Sequence, residues 1–200
     1  MPEVTNFEHN GISINASESP DAMGGLGDNV IGLVGTAPNC SSSIPLNYPF
    51  RISNFTQAQL LDTVGTEAGS LYQVVRQILL VVKVPIYVVV VEEGETQQDT
   101  FNNVIGGIDP ATGQKMGLMA LKAAQEDLTI IGAPGFSGTK AMATELAALG
   151  KAIRARVVLD GQDVTVSGQV EYSAELGPAD VGYDRCLLVH QVAAVYSKAA

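Results

Sequence analysis

Ile86-Tyr87-Val88-Val89-Val90-Val91 is the stretch on which the fold turns. All six residues are apolar or aromatic, and five of them are β-branched. Branching at Cβ stiffens χ1 and favours pleated backbone over helix. The run never alternates with polar residues, so neither face can be turned to water. A strand of that kind belongs in the middle of a parallel sheet, with helices over both sides. Pro85 can stand at its start, where no ladder donor is yet needed, and Glu92-Glu93-Gly94-Glu95 ends it in solvent.

The flanks of this strand read as helices. Before it, Ser70 is placed to N-cap a helix whose apolar positions Leu71, Val74, Val75, Ile78, Leu79 and Val82 keep helical spacing. Tyr72, Gln73, Arg76 and Gln77 form its wetter face. After it, Thr96-Gln97-Gln98-Asp99 has the form of a capping box, opening a helix that stops at Gly106-Gly107. Farther out, residues 30–35, 50–53, 129–133, 156–160 and 186–190 have the composition of strands. Helical patterns cover 56–64 (closed by Gly65), 116–126, 140–154 and 167–176 (closed by Gly177-Pro178). Leu118, Leu121 and Leu128 point inward from the second of these, and Met142, Leu146, Leu149 and Ile153 from the third. Strands alternating with helices imply right-handed crossovers. The fold class expected is α/β, a mostly parallel sheet with helices on both faces, preceded by an extended N-terminal arm.

That arm is residues 1–28, set apart from a body at 29–200. Its polar stretch from Asn6-Phe7-Glu8-His9 to Asn15 ends in a short alternation, Ile12 and Ile14 against Ser13 and Asn15. The segment Ser17-Glu18-Ser19-Pro20-Asp21 and the cluster Gly24-Gly25-Leu26-Gly27 then form a tether. The arm has too little apolar mass to fold alone; a frayed terminus and a strand in search of a sheet are both open readings.

Composition narrows the classes. The 200 residues suffice for one domain with a real core, and a hydrophobic fraction of 46% sits in the globular range. A formal charge of -10 with 11 Lys+Arg argues against nucleic-acid binding, which needs a basic footprint. The apolar stretch 78–91 is too short for a bilayer and is broken by Lys83 and Pro85, so no membrane contact is expected. Met1-Pro2-Glu3-Val4 does not read as a signal peptide. Cys40 and Cys186 lie far apart, with only His9 and His190 to add as ligands, so neither a zinc site nor a disulfide scaffold is expected. Cys186, inside an apolar strand pattern, reads as a buried free thiol.

The chemical motifs fail one by one. Gly132-Ala133-Pro134-Gly135-Phe136-Ser137-Gly138-Thr139-Lys140 is a glycine-rich strand-to-helix turn, but five residues separate Gly132 from Gly138 where a phosphate loop has four. Thr139 splits Gly138 from Lys140, Ala141 follows the lysine, and Pro134 removes a donor. Gly32-Leu33-Val34-Gly35 runs into a proline-containing loop, not a helix, so a dinucleotide fingerprint is excluded by context. Asp160-Gly161 at a strand end reads as turn chemistry. Glu92 and Glu93, adjacent on a strand, point to opposite faces and cannot share a cation. No catalytic, cofactor-binding or metal-ligating residue is therefore expected, and the chain reads as a structural or interaction protein.

Several phrases resemble one family. Val30-Ile31-Gly32-Leu33-Val34-Gly35-Thr36-Ala37-Pro38 looks like the first core strand of the contractile tail sheath proteins of bacteriophages and R-type pyocins. Asn103-Val104-Ile105-Gly106-Gly107, Thr112-Gly113 and Gly117-Leu118-Met119-Ala120-Leu121 resemble a further segment of that family. Ile130-Ile131-Gly132-Ala133-Pro134-Gly135 and Val158-Leu159-Asp160-Gly161 are similar to two of its strands, with Gln162 where the family has proline. The resemblance implies a structural subunit without a cofactor, located in a virion tail assembled in the host cytoplasm. Its partners would be neighbouring copies in hexameric discs stacked helically, an inner tail tube protein, and baseplate and tail terminator proteins. It also gives the arm a purpose: Phe7, Ile12, Ser13, Ile14 and Asn15 would join a neighbour's sheet. Members of the family run to roughly twice this length, so the resemblance covers an N-terminal half, and a fragment or a split subunit is expected. The other classes left open are a nucleotide- or small-molecule-binding α/β enzyme and a monomeric adaptor domain.

Overall fold

A computed structural model describes residues 29–161, 166–176 and 185–189. Eight strands are seen among them: β1 (Ile31–Thr36), β2 (Phe50–Ile52), β3 (Ile86–Val91), β4 (Gly107–Ile108), β5 (Lys115–Met116), β6 (Ile130–Gly132), β7 (Arg156–Asp160) and β8 (Cys186–Val189). The α-helices are α1 (Phe55–Ala58), α2 (Leu71–Val81), α3 (Gln97–Ile105), α4 (Lys140–Ile153) and α5 (Val166–Leu176), with 3-10 helices at Gln59–Leu61 and Gly117–Ala123.

Six strands form one sheet in the order β2-β3-β1-β6-β7-β8, and β4-β5 form a separate hairpin. Only β2 is antiparallel in the large sheet. β1 pairs parallel with β3 from Ile31↔Ile86 to Thr36↔Val91, and with β6 on its other side. All six residues of β3 are buried, as its unbroken apolar run requires.

The winding decides where the helices go. From β1 the chain moves one way to β3, with α2 crossing on one face. It then returns past β1 to β6, β7 and β8 on the other side, and right-handed crossovers put α3, α4 and α5 on the opposite face. Two apolar clusters result. Leu33, Ile52, Ile86, Val88 and Val90 pack with Leu61, Leu71, Val75 and Leu79 of the α1–α2 side. Val34, Tyr87, Val89, Ile131, Val157 and Leu159 pack with Val104, Leu121, Met142, Leu146 and Tyr172 on the other. Each such side chain, fully buried, contributes about 1.5–3 kcal/mol.

Local departures from expectation have identifiable causes. Ser70 stands at the N-cap of α2 but makes no cap bond, because its Oγ instead accepts from Thr36 N at 3.1 Å. The helix ends at Val81, and Val82 is extended and 38% exposed. The helix expected over 56–64 stops at Leu61: buried Asp62 turns the chain by accepting from Gly65 N (3.0 Å) and Glu67 N (2.6 Å). The helix expected over 116–126 is a 3-10 helix with no side-chain cap, and its tighter turn buries Leu118, Ala120 and Leu121 together. Cys186 is only half-buried, since β8 is an edge strand of the described sheet. Thr96 caps α3 as its sequence implies, accepting from Asp99 N at 3.1 Å.

Candidate functional site

Parallel α/β sheets place ligands outside the carboxyl ends of the strands, where the winding reverses. Here that point is the end of β1, and a crevice of about 630 Å3 lies there, bounded by Thr36, Glu93, Glu95, Thr96, Phe136 and Thr139. Its lining carries two carboxylates, Glu93 and Glu95, and no lysine or arginine among the described residues. That balance repels a phosphate instead of neutralising it.

The glycine-rich turn from β6 into α4 is built as a structural joint. Ala133 O accepts from both Phe136 N (3.0 Å) and Ser137 N (3.1 Å), and Gly135 takes a φ of 78°. Asp160, at the end of β7, accepts from Ser137 Oγ at 2.7 Å and from Gly135 N at 3.3 Å, while its own N–H donates back to Ser137 Oγ at 3.0 Å. Thr139 caps α4 by accepting from Met142 N. The Asp160 carboxylate is thus occupied in tying two strand ends together. Glu92 and Glu93 are exposed, and no group of His, Cys, Asp and Glu able to hold a metal occurs among the described residues.

A second polar cluster ties the sheet's edge to the layer above it. Glu126 accepts from Arg51 Nε at 2.8 Å and from the Tyr87 hydroxyl at 3.2 Å. Burial, then the charge and hydrogen bond of Glu126, push the Tyr87 hydroxyl above its ordinary pKa, and Arg51 opposes the shift. Burial works against ionisation of Asp62, but the backbone N–H groups of Glu67, Gly65, Thr66 and Val64 outweigh it and hold the carboxyl below the usual range. Each of these arrangements fixes a loop.

The arm residues Phe7, Ile12, Ser13, Ile14 and Asn15 lie outside the described residues, as do His9 and His190. What the described body offers a neighbour is its sheet edges, β2 of three residues and β8 of four. Short edges limit uncontrolled pairing while leaving ladder groups for a chosen strand. Around β2, Leu46, Tyr48 and Phe55 are exposed apolar side chains.

The β4-β5 hairpin went unseen in the sequence reading, although its turn carries a signal. Asp109 accepts from Ala111 N (2.9 Å) and Thr112 Oγ1 (2.6 Å), and Gly113 N donates to Asp109 O (2.7 Å). The hydrogen bonds from Thr112 and Ala111 hold the Asp109 carboxyl below its ordinary range. The hairpin explains the glycines flanking it: Gly106 (φ 67°) and Gly117 (φ 56°) sit where two backbones meet, and a Cβ on either would overlap carbonyl oxygens of the facing segment.

No protein-family profile matches the chain. Over 153 residues, 74% of its length, it is 30% identical to a protein of Pseudomonas aeruginosa (strain UCBPP-PA14) named as a prophage major tail sheath protein. The match takes in 39% of that protein, so the chain spans about two fifths of the length of the curated relative. The resemblance to tail sheath proteins read from short phrases therefore extends across most of the chain.

Proposed function

We propose that this relative of tail sheath proteins is a structural subunit of the contractile sheath of a phage tail or tail-like injection machine. It acts by assembling, not by catalysis: copies stack as discs around an inner tail tube protein, between a baseplate and a tail terminator. In the arm at 1–28, Phe7, Ile12, Ser13, Ile14 and Asn15 reach from the body at 29–200 to a sheet edge of the next copy. Main-chain hydrogen bonds supply affinity, and Ile12 and Ile14 supply register. The site of action is the virion tail, built in the host bacterial cytoplasm. The observation that carries this reading is the 30% identity to a tail sheath protein over 153 residues. The hydrogen-bonded Asp160 and the acidic lining of the crevice at the end of β1 favour it over nucleotide binding.

Negative-stain micrographs and solution mass of the purified chain test it. Discs, tubes or hexamers that disappear on deletion of residues 1–20, with the body's melting temperature unchanged, are the expected result. A monomer with or without residues 1–20, at every concentration, overturns assembly by the arm. The rival reading, a nucleotide-binding enzyme, predicts saturable ATP or GTP binding at micromolar concentrations that Lys140→Ala abolishes. None is expected.

A further inference from the structure

The two ends of the parallel sheet carry opposite charge. At the amino ends of the strands stand Lys83 before β3, Lys122 ahead of β6, Lys151 and Arg154 between α4 and β7, and Arg156 opening β7, all exposed. Asp127 and Glu175 lie at the same end, and Glu126 there is already paired with Arg51. At the carboxyl ends Glu92, Glu93, Glu95 and Asp99 are exposed, with Lys140 opposing them. Helix dipoles favour Asp99 and Lys151 where they stand, but Glu92, Glu93 and Arg156 belong to strand ends. A knob and a hollow lie at these two ends. α2 runs out at the amino end with Leu80 67%, Val81 83% and Val82 38% exposed, directly before Lys83. Exposed apolar side chains grouped beside a charge mark a contact surface. The crevice of about 630 Å3 at the carboxyl end has Phe101 and Phe136 in its walls, together with Glu93 and Glu95.

We infer that copies of this chain associate head to tail, the 80–83 knob of one entering the crevice of the next, with Lys83 against Glu93 and Glu95. Complementarity selects this occupant. The carboxylates favour a cation, the two phenylalanine rings favour apolar side chains beside it, and residues 80–83 offer both on one exposed turn. Two like ends brought together would instead oppose charges of one sign. Knob and crevice lie at opposite ends of one sheet, so the contact is heterologous. Each copy that uses one end leaves the other free, and the series either grows or closes into a ring. The inference deepens the assembly proposed above and rests on it for the identity of the partner, a second copy.

Charge-swapped variants of the full chain, followed by sedimentation, test it. Lys83→Glu and the double variant Glu93→Lys/Glu95→Lys should each weaken self-association at low salt at least tenfold. An equimolar mixture of the two should regain it, because each then meets a complementary end. Val81→Ser should also weaken association, without moving the melting temperature, since its side chain is already in solvent. High salt should loosen the parent assembly, as it screens exposed charges. Association that neither swap weakens, or a mixture no stronger than its components, would overturn the inference, as would a parent chain that stays monomeric at low salt. Assemblies that survive both swaps but vanish on deletion of residues 1–20 would leave the arm reading standing and this contact refuted. Rescue by mixing, in assemblies indifferent to that deletion, would support this contact and refute assembly by the arm.

Discussion

The two halves of the sheet are held in different ways. β1 and β3 lie between α2 on one side and α3 with the 117–123 helix on the other, and every residue of β3 is buried. β7 and β8 are sealed by described residues on one side only, and their exposure alternates along the strand. Yet Cys186-Leu187-Leu188-Val189 is as apolar as Val88-Val89-Val90-Val91. Composition alone does not reveal how many faces of a strand are covered; the direction of winding does. Three successive additions on one side stack all their crossovers on one face, so among the described residues the other face of β7 and β8 carries no helix.

The largest effect expected from this contrast is at the centre. Val89→Asp puts an unpaired carboxylate between two sealed layers, which costs several kcal/mol against a total stability of about 5–15 kcal/mol. No cooperative unfolding transition should remain. Glu93→Ala, past the end of the same strand, should cost under roughly 1 kcal/mol. Similar melting curves for both would break the picture of a doubly covered half.

On the sealed face of the other half, Leu146→Ala in α4 removes a fully buried side chain, at an expected cost of about 2–5 kcal/mol. Val170→Ala on the outside of α5, where the side chain is 64% exposed, should stay within about 0.5 kcal/mol. Urea midpoints measure both. A small Leu146 effect would mean that α4 is loosely docked and that the halves differ in more than coverage.

Asp160→Ala should cost about 1.5–3 kcal/mol, the worth of hydrogen bonds to a charged group, because it frees Ser137 Oγ and Gly135 N together. Ser137→Ala in the Asp160→Ala background should add little. Additive losses would show that the two residues act separately and that the joint between β6 and β7 is not a unit.

Much of this architecture could be read before the structure, because it rests on local signals. Thr96 announced its helix through cap chemistry, and the unbroken run of β3 announced a central strand. What escaped reading depends on partners distant in sequence. Ser70 looks like a cap, but Thr36 N, 34 residues away, takes its oxygen. Gly106 looks like helix punctuation, and its deeper reason is the close crossing of two backbones at Gly106 and Gly117. The candidate assembly residues of the arm were legible only as an alternation without a partner. A strand's partner is not written in its own residues.

The smallest effect tests how the doubly covered half is pinned at its margin, and it is read through pH. Tyr87 is buried and its hydroxyl donates to Glu126, which also holds Arg51 on the edge strand β2. Burial and then Glu126 raise its pKa above the model-compound value of 10.0. The folded state therefore keeps the proton longer than the unfolded chain does. The stability this supplies is complete below the unfolded pKa near 10.0 and is lost as pH rises through the higher folded value. Tyr87→Phe gives up the hydrogen bond, a net of about 0.5–1.5 kcal/mol, but has no proton to lose. At pH 7 the variant should unfold at lower urea than the parent, and above pH 10 the gap should narrow as the parent alone pays for ionising the phenol. Midpoints that stay the same distance apart from pH 7 to pH 11 would mean that the hydroxyl is not held by Glu126, and that β2 is pinned to the sheet by its ladder alone.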